Sequence, residues 1–242
     1  ALSGVAAIHR AHVGAGIGLI AQRPVVMVCA DEGEGERLAR DLGALTGQTV
    51  PVLSPRSFTF HNVASVSRQW EHKRLALFNR MQRGEVPYLV ATVESLLQRT
   101  LPPAVLEQCC VKLKVGDVQD LNDLTQTLSA AGYTRCEQVE GVGQYALRGG
   151  ILDVFSPLME QPVRCELFDD EIDSLGEFDV GTQRRLRNVE EALILPCAEL
   201  LPRFAEGGQS GPADALEAQI GKLRRRQKTE ELIKTLSADA EL

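Results

Sequence analysis

Two arginines near the middle of the chain have the type and spacing that suit binding of an acidic partner. Arg135 begins one extended segment, and Arg148 ends an alternating run directly before Gly149-Gly150. A guanidinium group presents its N–H donors as a planar fork, which can hold a carboxylate through two parallel hydrogen bonds. If 133–139 pairs antiparallel with 144–153, both side chains share one face of a sheet. The pair is therefore a candidate anchor for another protein.

A second interpretation of these arginines stays open. They could be ordinary surface residues that pair with Glu137 or Glu140, which are close in sequence. The chemistry of the residue types alone does not decide between a binding anchor and two solvated side chains.

The N-terminal segment is a candidate phosphate-binding loop. Such a loop needs several glycines, so that backbone amides converge on the phosphates, then a lysine and a hydroxyl that holds magnesium. Gly4 is present, but the later glycine and the lysine are absent, and His9-Arg10 is a poor substitute. Gly4, His9 and Arg10 therefore predict a degenerate nucleotide loop without ATP hydrolysis. The GAGIG string at 14–18 follows no strand, so it favours a closely packed helix over a dinucleotide site.

Cysteine and acidic residues do not form a pattern typical of a metal site. The six cysteines include no CxxC pair and have no histidine cluster beside them. Cys29 and Cys165 lie in apolar runs and are interpreted as small buried hydrophobic residues in a reducing cytoplasm. The acidic cluster Asp169–Asp173 falls between two strands, which favours a hairpin turn with solvated carboxylates. We therefore predict no metal.

The composition is that of a soluble globular protein. Hydrophobic residues make up 44% and charged residues 24%, and the net charge is −7. A dominant nucleic-acid surface normally needs a basic face, which this charge does not favour. The basic patch Lys222–Arg226 is interpreted as a solvated helix face, with sequence-independent DNA binding as the alternative. No apolar run approaches the ~20 residues of a membrane span.

The hydrophobic pattern changes along the chain and divides it into three parts. Residues 1–104 alternate strand-like and helix-like segments, which predicts an α/β domain with a mostly parallel sheet. Residues 105–198 contain one amphipathic helix followed by segments of period two, which predicts a mostly antiparallel α+β unit. Residues 199–242 are predicted to be a loop and a C-terminal helix. Both ends of the chain are helix-like, so we expect a fragment of a longer protein.

Several strings of residues, in order along the chain, resemble one known family. They are Tyr133-Thr134-Arg135, YALRGGILDVF at 145–155, RCELFDDEIDSL at 164–175 and FDVGTQR at 178–184, with weaker strings at 60–74 and 91–97. This series is similar to the UvrB-like N-terminal region of the bacterial transcription-repair coupling factors (Mfd). The resemblance is strongest from Tyr133 to Arg184 and extends from the first residues to about Pro196.

The resemblance implies an architecture and a partner. Residues 1–104 would be a degenerate P-loop-like ATPase domain, 105–198 an inserted domain that docks on UvrA, and 199–242 a linker and a helix that returns to the first domain. Arg135 and Arg148 match arginines through which UvrB binds UvrA, Tyr145 is a weaker candidate, and Ala146 replaces a further family arginine. No cofactor is implied for this fragment. ATP, magnesium, RNA polymerase and DNA would bind elsewhere in the full-length translocase.

UvrB itself is the alternative that the resemblance leaves open. That protein is an ATP-dependent repair helicase, and it needs an intact phosphate loop and a long aromatic hairpin. The loop is degraded here, and 54–66 is too short for such a hairpin. These departures favour a non-catalytic module that recruits UvrA in transcription-coupled nucleotide excision repair.

Overall fold

The computed structural model describes residues 3–56, 68–201 and 211–225. The described residues divide into two compact units, the first formed by 3–56 and 68–106 and the second beginning at residue 107. Most of the segment 54–66, for which the sequence predicts no long hairpin, lies outside the described residues. The same is true of 60–67, the first part of one of the weaker strings of family resemblance.

The first unit is an α/β structure around a three-stranded parallel sheet. Its strands lie in the order β1-β3-β2, with every pair parallel. In chain order the elements are a 3-10 turn at Ala7–His9, α1 (Arg10–Ala21), β1 (Val25–Cys29), α2 (Glu32–Thr46), β2 (Val52–Leu53), α3 (Gln69–Gln82), β3 (Tyr88–Thr92) and α4 (Val93–Leu97). Helix α5 (Pro103–Cys109) contains the boundary at which the second unit begins. The predicted parallel α/β architecture is confirmed, whereas its P-loop-like origin stays a prediction.

Local sequence accounts for the boundaries of α2. The Asp31 carboxylate accepts a hydrogen bond of 2.8 Å from the Glu34 amide, which satisfies one of the free N–H groups of the first turn. Gly47 has a φ of +71° and ends the helix in the left-handed region that glycine adopts without strain. Between these caps, Leu38 and Leu42 are buried in the core of the unit.

The second unit is built around a six-stranded sheet with the strand order β10-β9-β8-β7-β6-β5. Its elements are β4 (Val111–Lys114), α6 (Leu121–Ala130), β5 (Thr134–Arg135), β6 (Gln144–Arg148), β7 (Ile151–Val154), β8 (Val163–Phe168), β9 (Glu171–Phe178), β10 (Arg185–Asn188), β11 (Glu191–Ile194) and α7 (Gly211–Arg225). Strands β4 and β11 form a separate antiparallel pair. The predicted α+β unit is confirmed.

One strand pairing differs from the prediction. Strand β5 pairs with β6 in parallel, not antiparallel, with Thr134 opposite Gln144 and Arg135 opposite Tyr145. The chain between the two strands ends at Gly143, whose φ of +87° lets the backbone turn back into the same direction. Alternation of side chains predicts a strand but not the direction of its neighbour.

The six-stranded sheet has an apolar face and a mixed face. Tyr145, Leu152 and Cys165 lie in the main core with Leu124 and Leu128 of α6. The other face carries a smaller apolar cluster of Val139, Ala146, Phe155 and Phe178. Polar side chains surround this smaller cluster, and these are the residues of interest for binding.

The acidic cluster forms the predicted hairpin turn. Strand β8 ends at Phe168 and β9 begins at Glu171, with Asp169 in the left-handed region at φ +61°. All six cysteines are free thiols, and Cys29 and Cys165 are buried as predicted. None of the described helices is long and apolar enough to cross a bilayer.

The C-terminal helix is described only as far as Arg225. It begins at Gly211, three residues before the predicted start. Lys222 is exposed, but most of the basic patch Lys222–Arg226 lies outside the residues whose side chains are described. The predicted return of this helix to the first domain stays a prediction.

The glycines of the GAGIG string lie in α1, as the sequence predicts, and two of them permit close packing. A Cβ atom on Gly18 would come within 2.5 Å of the Tyr88 hydroxyl oxygen, and one on Gly14 within 2.5 Å of the Met27 sulfur. The Tyr88 hydroxyl also donates to the Ala15 carbonyl at 3.2 Å. Gly16, by contrast, has no atom within 4 Å of its Cβ position.

These contacts predict opposite effects of one substitution at two positions of the same helix. Gly18→Ala should lower the free energy of unfolding by about 1–3 kcal/mol, because the methyl group forces Tyr88 to move. The matched control Gly16→Ala should raise it by about 0.5–1 kcal/mol, since alanine favours a helix interior and meets no neighbour. Urea denaturation followed by the fluorescence of Trp70 measures both, and equal effects would contradict close packing at Gly18.

Candidate partner-binding surface

The mixed face of the sheet holds a buried carboxylate between two arginines. Asp153 is in the middle of β7 and is 0% exposed. Its Oδ1 accepts from Arg164 Nε at 2.7 Å, and its Oδ2 accepts from Arg164 Nη2 at 2.9 Å. Oδ2 also accepts from Arg148 Nη2 at 2.8 Å. Strand register explains the arrangement, because Asp153 lies opposite Ala146 on one side and opposite Arg164 on the other.

Arg164 is fixed from several directions. Its guanidinium carbon lies 4.5 Å from the centre of the Phe178 ring, an arrangement that favours a cation over the aromatic face. Its Nη1 donates to the Gln183 carbonyl at 3.3 Å. The hydrogen bond to Asp153 is the main reason that the pKa of Arg164 is raised, although burial acts in the opposite direction. Arg164 is therefore a permanent, immobilised positive charge.

Arg148 is the exposed member of this group. Its side chain is 49% exposed, whereas that of Asp153 is 1% exposed. Within the described residues Asp153 is its sole partner, so most of the N–H donors of the guanidinium face solvent. The carboxylate of Asp153 thus meets two guanidinium groups, and the charge of Glu166 also acts on Arg164.

An exposed aromatic side chain lies at the same end of the sheet as Arg148. Phe168 is 80% exposed at the end of β8. The preceding residue, Leu167, donates from its amide to the Gly150 carbonyl at 2.8 Å, which places Phe168 beside the β6–β7 turn that follows Arg148. Arginine and large aromatic residues contribute most to many protein interfaces, so this pairing is typical of a binding surface.

The expectation that Arg135 and Arg148 share a face is wrong. Arg135 is exposed on the edge strand β5, but it is opposite Tyr145, whose side chain belongs to the apolar face. Arg148 lies three residues further along β6, on the mixed face with Ala146. The residue of β5 that shares the face of Arg148 is Thr134, which pairs with Gln144. Because β5 is parallel to β6, its register differs from the assumed one.

Tyr145 does not lie on the exposed surface. It is 3% exposed, and its hydroxyl is 2.9 Å from the Ser129 hydroxyl of α6. Tyr145 therefore packs in the core in this structure, and its assignment as a weaker partner-binding residue stays a prediction. Neither Glu137 nor Glu140 pairs with Arg135 or Arg148 in the described part of the chain. The ion pairs suggested by the alternative interpretation are therefore absent there, and Arg148 pairs with Asp153 instead.

The sequence did not single out Asp153, Arg164 or Phe168 as functional. A signal for them was present, because Asp153 is a carboxylate inside the apolar run 151–155 and Arg164 and Phe168 alternate with apolar residues. The register between strands was needed to show that the carboxylate meets both arginines.

Arg10, one of the residues of the predicted degenerate nucleotide loop, forms an ion pair within the chain. Gly4 has a φ of +78°, and Arg10 begins α1. Arg10 Nη1 donates to Glu34 Oε1 at 2.8 Å, while Glu34 Oε2 accepts from the Ala30 amide at 3.0 Å. The carboxylate of Glu34 thus neutralises Arg10. The His9 amide donates to the Ala6 carbonyl at 2.9 Å, and the His9 ring centre lies 6.4 Å from that of His12.

Comparison with known proteins defines the class of the second unit and then the wider family. Residues 111–200 match the family model described as the UvrB interaction domain. The chain is 33% identical to the transcription-repair-coupling factor of Myxococcus xanthus over 91% of its own length and 20% of the relative's. It is 30% identical to that of Bacillus subtilis over 90% and 19%, and 34% identical to that of Escherichia coli K12 over 73% and 15%.

The predicted resemblance is therefore confirmed. This chain is a relative of the transcription-repair-coupling factors over a region that includes a UvrB interaction domain. It spans about a fifth of the length of the first two relatives.

The buried ion pair predicts a large effect of Arg164 on stability. Arg164→Met should lower the free energy of unfolding by about 3 kcal/mol, because Asp153 loses its bidentate partner while it stays buried. Chemical denaturation followed by circular dichroism measures the change. The matched control is Arg187→Met, which removes an equally bidentate but exposed pair with Glu177 at 2.6 and 2.8 Å and should change stability little. Similar losses in both variants would contradict a special role for the buried pair.

Proposed function

We propose that this chain is a non-catalytic module that recruits UvrA during transcription-coupled nucleotide excision repair. The observation that carries the proposal is the half-exposed Arg148, held against a buried carboxylate at the end of the sheet that also carries the exposed Phe168. The match to the UvrB interaction domain supports it, since UvrB and a coupling factor would then present the same kind of domain to one partner.

The chemistry of the surface fits an acidic protein partner. Arg148 offers free N–H donors to a carboxylate, and its positive charge adds attraction. Phe168 supplies exposed apolar area that is removed from water when a partner binds. Ala146, which replaces a further arginine in the family pattern, makes the cationic part of this surface small.

The first unit acts in this proposal as a scaffold without ATPase activity. The absence of the phosphate-loop lysine from the sequence and the pairing of Arg10 with Glu34 both support this role. In the longer protein, other regions would hydrolyse ATP with magnesium, move along DNA and contact RNA polymerase. These activities are part of the proposal for the full-length protein.

Single substitutions should show how much each of the two arginines contributes to UvrA binding. Arg148→Ala and Phe168→Ala should each weaken UvrA binding by about 2 kcal/mol, roughly 30-fold, because each removes a central contact. Arg135→Ala should cost less, since Arg135 lies on the other face of the sheet. Isothermal titration calorimetry with purified UvrA measures all three affinities.

The outcome of this titration decides which surface is used. If both Arg148→Ala and Phe168→Ala bind UvrA with full affinity, the proposed surface is wrong. If only Arg135→Ala loses affinity, the binding site lies instead at the edge of the apolar face. Glu191, exposed on β11, offers a control in Glu191→Ala, which should bind UvrA as the unchanged chain does.

Nucleotide binding distinguishes this module from a UvrB-type helicase subunit. Titration of the chain with ATP and magnesium should show no binding in the micromolar range. The predicted loop has no lysine to neutralise the phosphates, and Arg10 is already paired with Glu34. An intact P-loop ATPase measured alongside serves as the positive control. Micromolar affinity for ATP would favour the enzyme over the recruitment module.

A further inference from the structure

Burial of a charged carboxylate in the middle of a sheet has a large free-energy cost, because the charge is taken out of water. Asp153 is 0% exposed, and a neutral residue of similar size would pack opposite Ala146 without that cost. The two oxygens of Asp153 accept three hydrogen bonds, all from arginines. We therefore ask how Asp153 affects the positions of those arginines.

The three hydrogen bonds have unequal roles. Arg164 is 17% exposed and binds both oxygens, so it fixes the plane of the carboxylate. Phe178 and Gln183 fix Arg164 in turn. Arg148 takes the remaining site on Oδ2 with one Nη atom. The chain of contacts thus begins in the apolar cluster of the mixed face and ends at the exposed guanidinium.

We infer that Asp153 is the positioning residue of the partner-binding surface, which orients the guanidinium fork of Arg148 toward a carboxylate of UvrA. A free arginine side chain must lose its rotamer freedom on binding, and one already held in place does not. The Nη2 atom of Arg148 is anchored on Oδ2, and about half of the Arg148 side chain stays exposed to solvent. This inference rests on the proposed function, since it concerns the same surface.

A double-mutant cycle tests the inference. Asp153→Asn, which keeps the shape of the side chain, should weaken UvrA binding roughly tenfold in the otherwise unchanged chain. In the Arg148→Ala background the same substitution should change affinity by less than about twofold, because no fork remains to be oriented. An equal loss in both backgrounds would show that Asp153 acts only by supporting the fold, and an unchanged affinity of Asp153→Asn alone would overturn the inference directly.

A second variant covers the case in which Asp153→Asn does not fold. Arg148→Lys keeps the positive charge but replaces the planar fork with a single ammonium group. If orientation by Asp153 matters, Arg148→Lys should bind UvrA almost as weakly as Arg148→Ala. Wild-type affinity of Arg148→Lys would show that charge alone suffices and would overturn the inference.

The controls separate this inference from the proposed function. Glu177→Gln removes the carboxylate of another arginine pair in the same sheet and should leave UvrA affinity unchanged. If Arg148→Ala and Phe168→Ala both bind normally, the proposed surface itself is wrong. If they bind weakly while Asp153→Asn and Arg148→Lys bind normally, the surface stands and the positioning role of Asp153 is lost.

Discussion

The carboxylate of Asp153 is the constraint on which the proposed binding surface depends. A buried negative charge is stable only if its oxygens are fully hydrogen-bonded and its charge is compensated. Arg164 meets that need from inside the sheet and Arg148 from its exposed side. The interaction that compensates the buried carboxylate therefore also holds one half-exposed guanidinium group at the surface.

The architecture of the second unit makes this interaction possible. Three adjacent antiparallel strands bring residues that are distant in sequence into line, because Asp153 on β7 has β6 on one side and β8 on the other. The apolar face of the sheet packs against α6, so the strands cannot slip in register without moving their apolar side chains into water. Core packing on one face thus sets the geometry of the polar group on the other.

The first unit depends on apolar packing and on local helix signals. Its parallel sheet and flanking helices need only apolar strands, caps and close packing, and the glycines of α1 allow that helix to approach Met27 and Tyr88. Phosphate binding needs in addition a lysine that the N-terminal segment lacks. The parallel α/β architecture therefore does not by itself imply phosphate binding.

Much of the fold followed from the sequence by itself. The valine-rich run of β1, the caps of α2, the alternation along β8 and the acidic turn after Phe168 are local signals, because they depend on neighbours only a few residues apart. The strings around Arg148 also identified the family. What only the tertiary structure decided was the direction of β5, the burial of Tyr145 and the meeting of Asp153 with Arg148 and Arg164. Those features depend on strand register, which is set by packing between distant segments and leaves no local mark in the sequence.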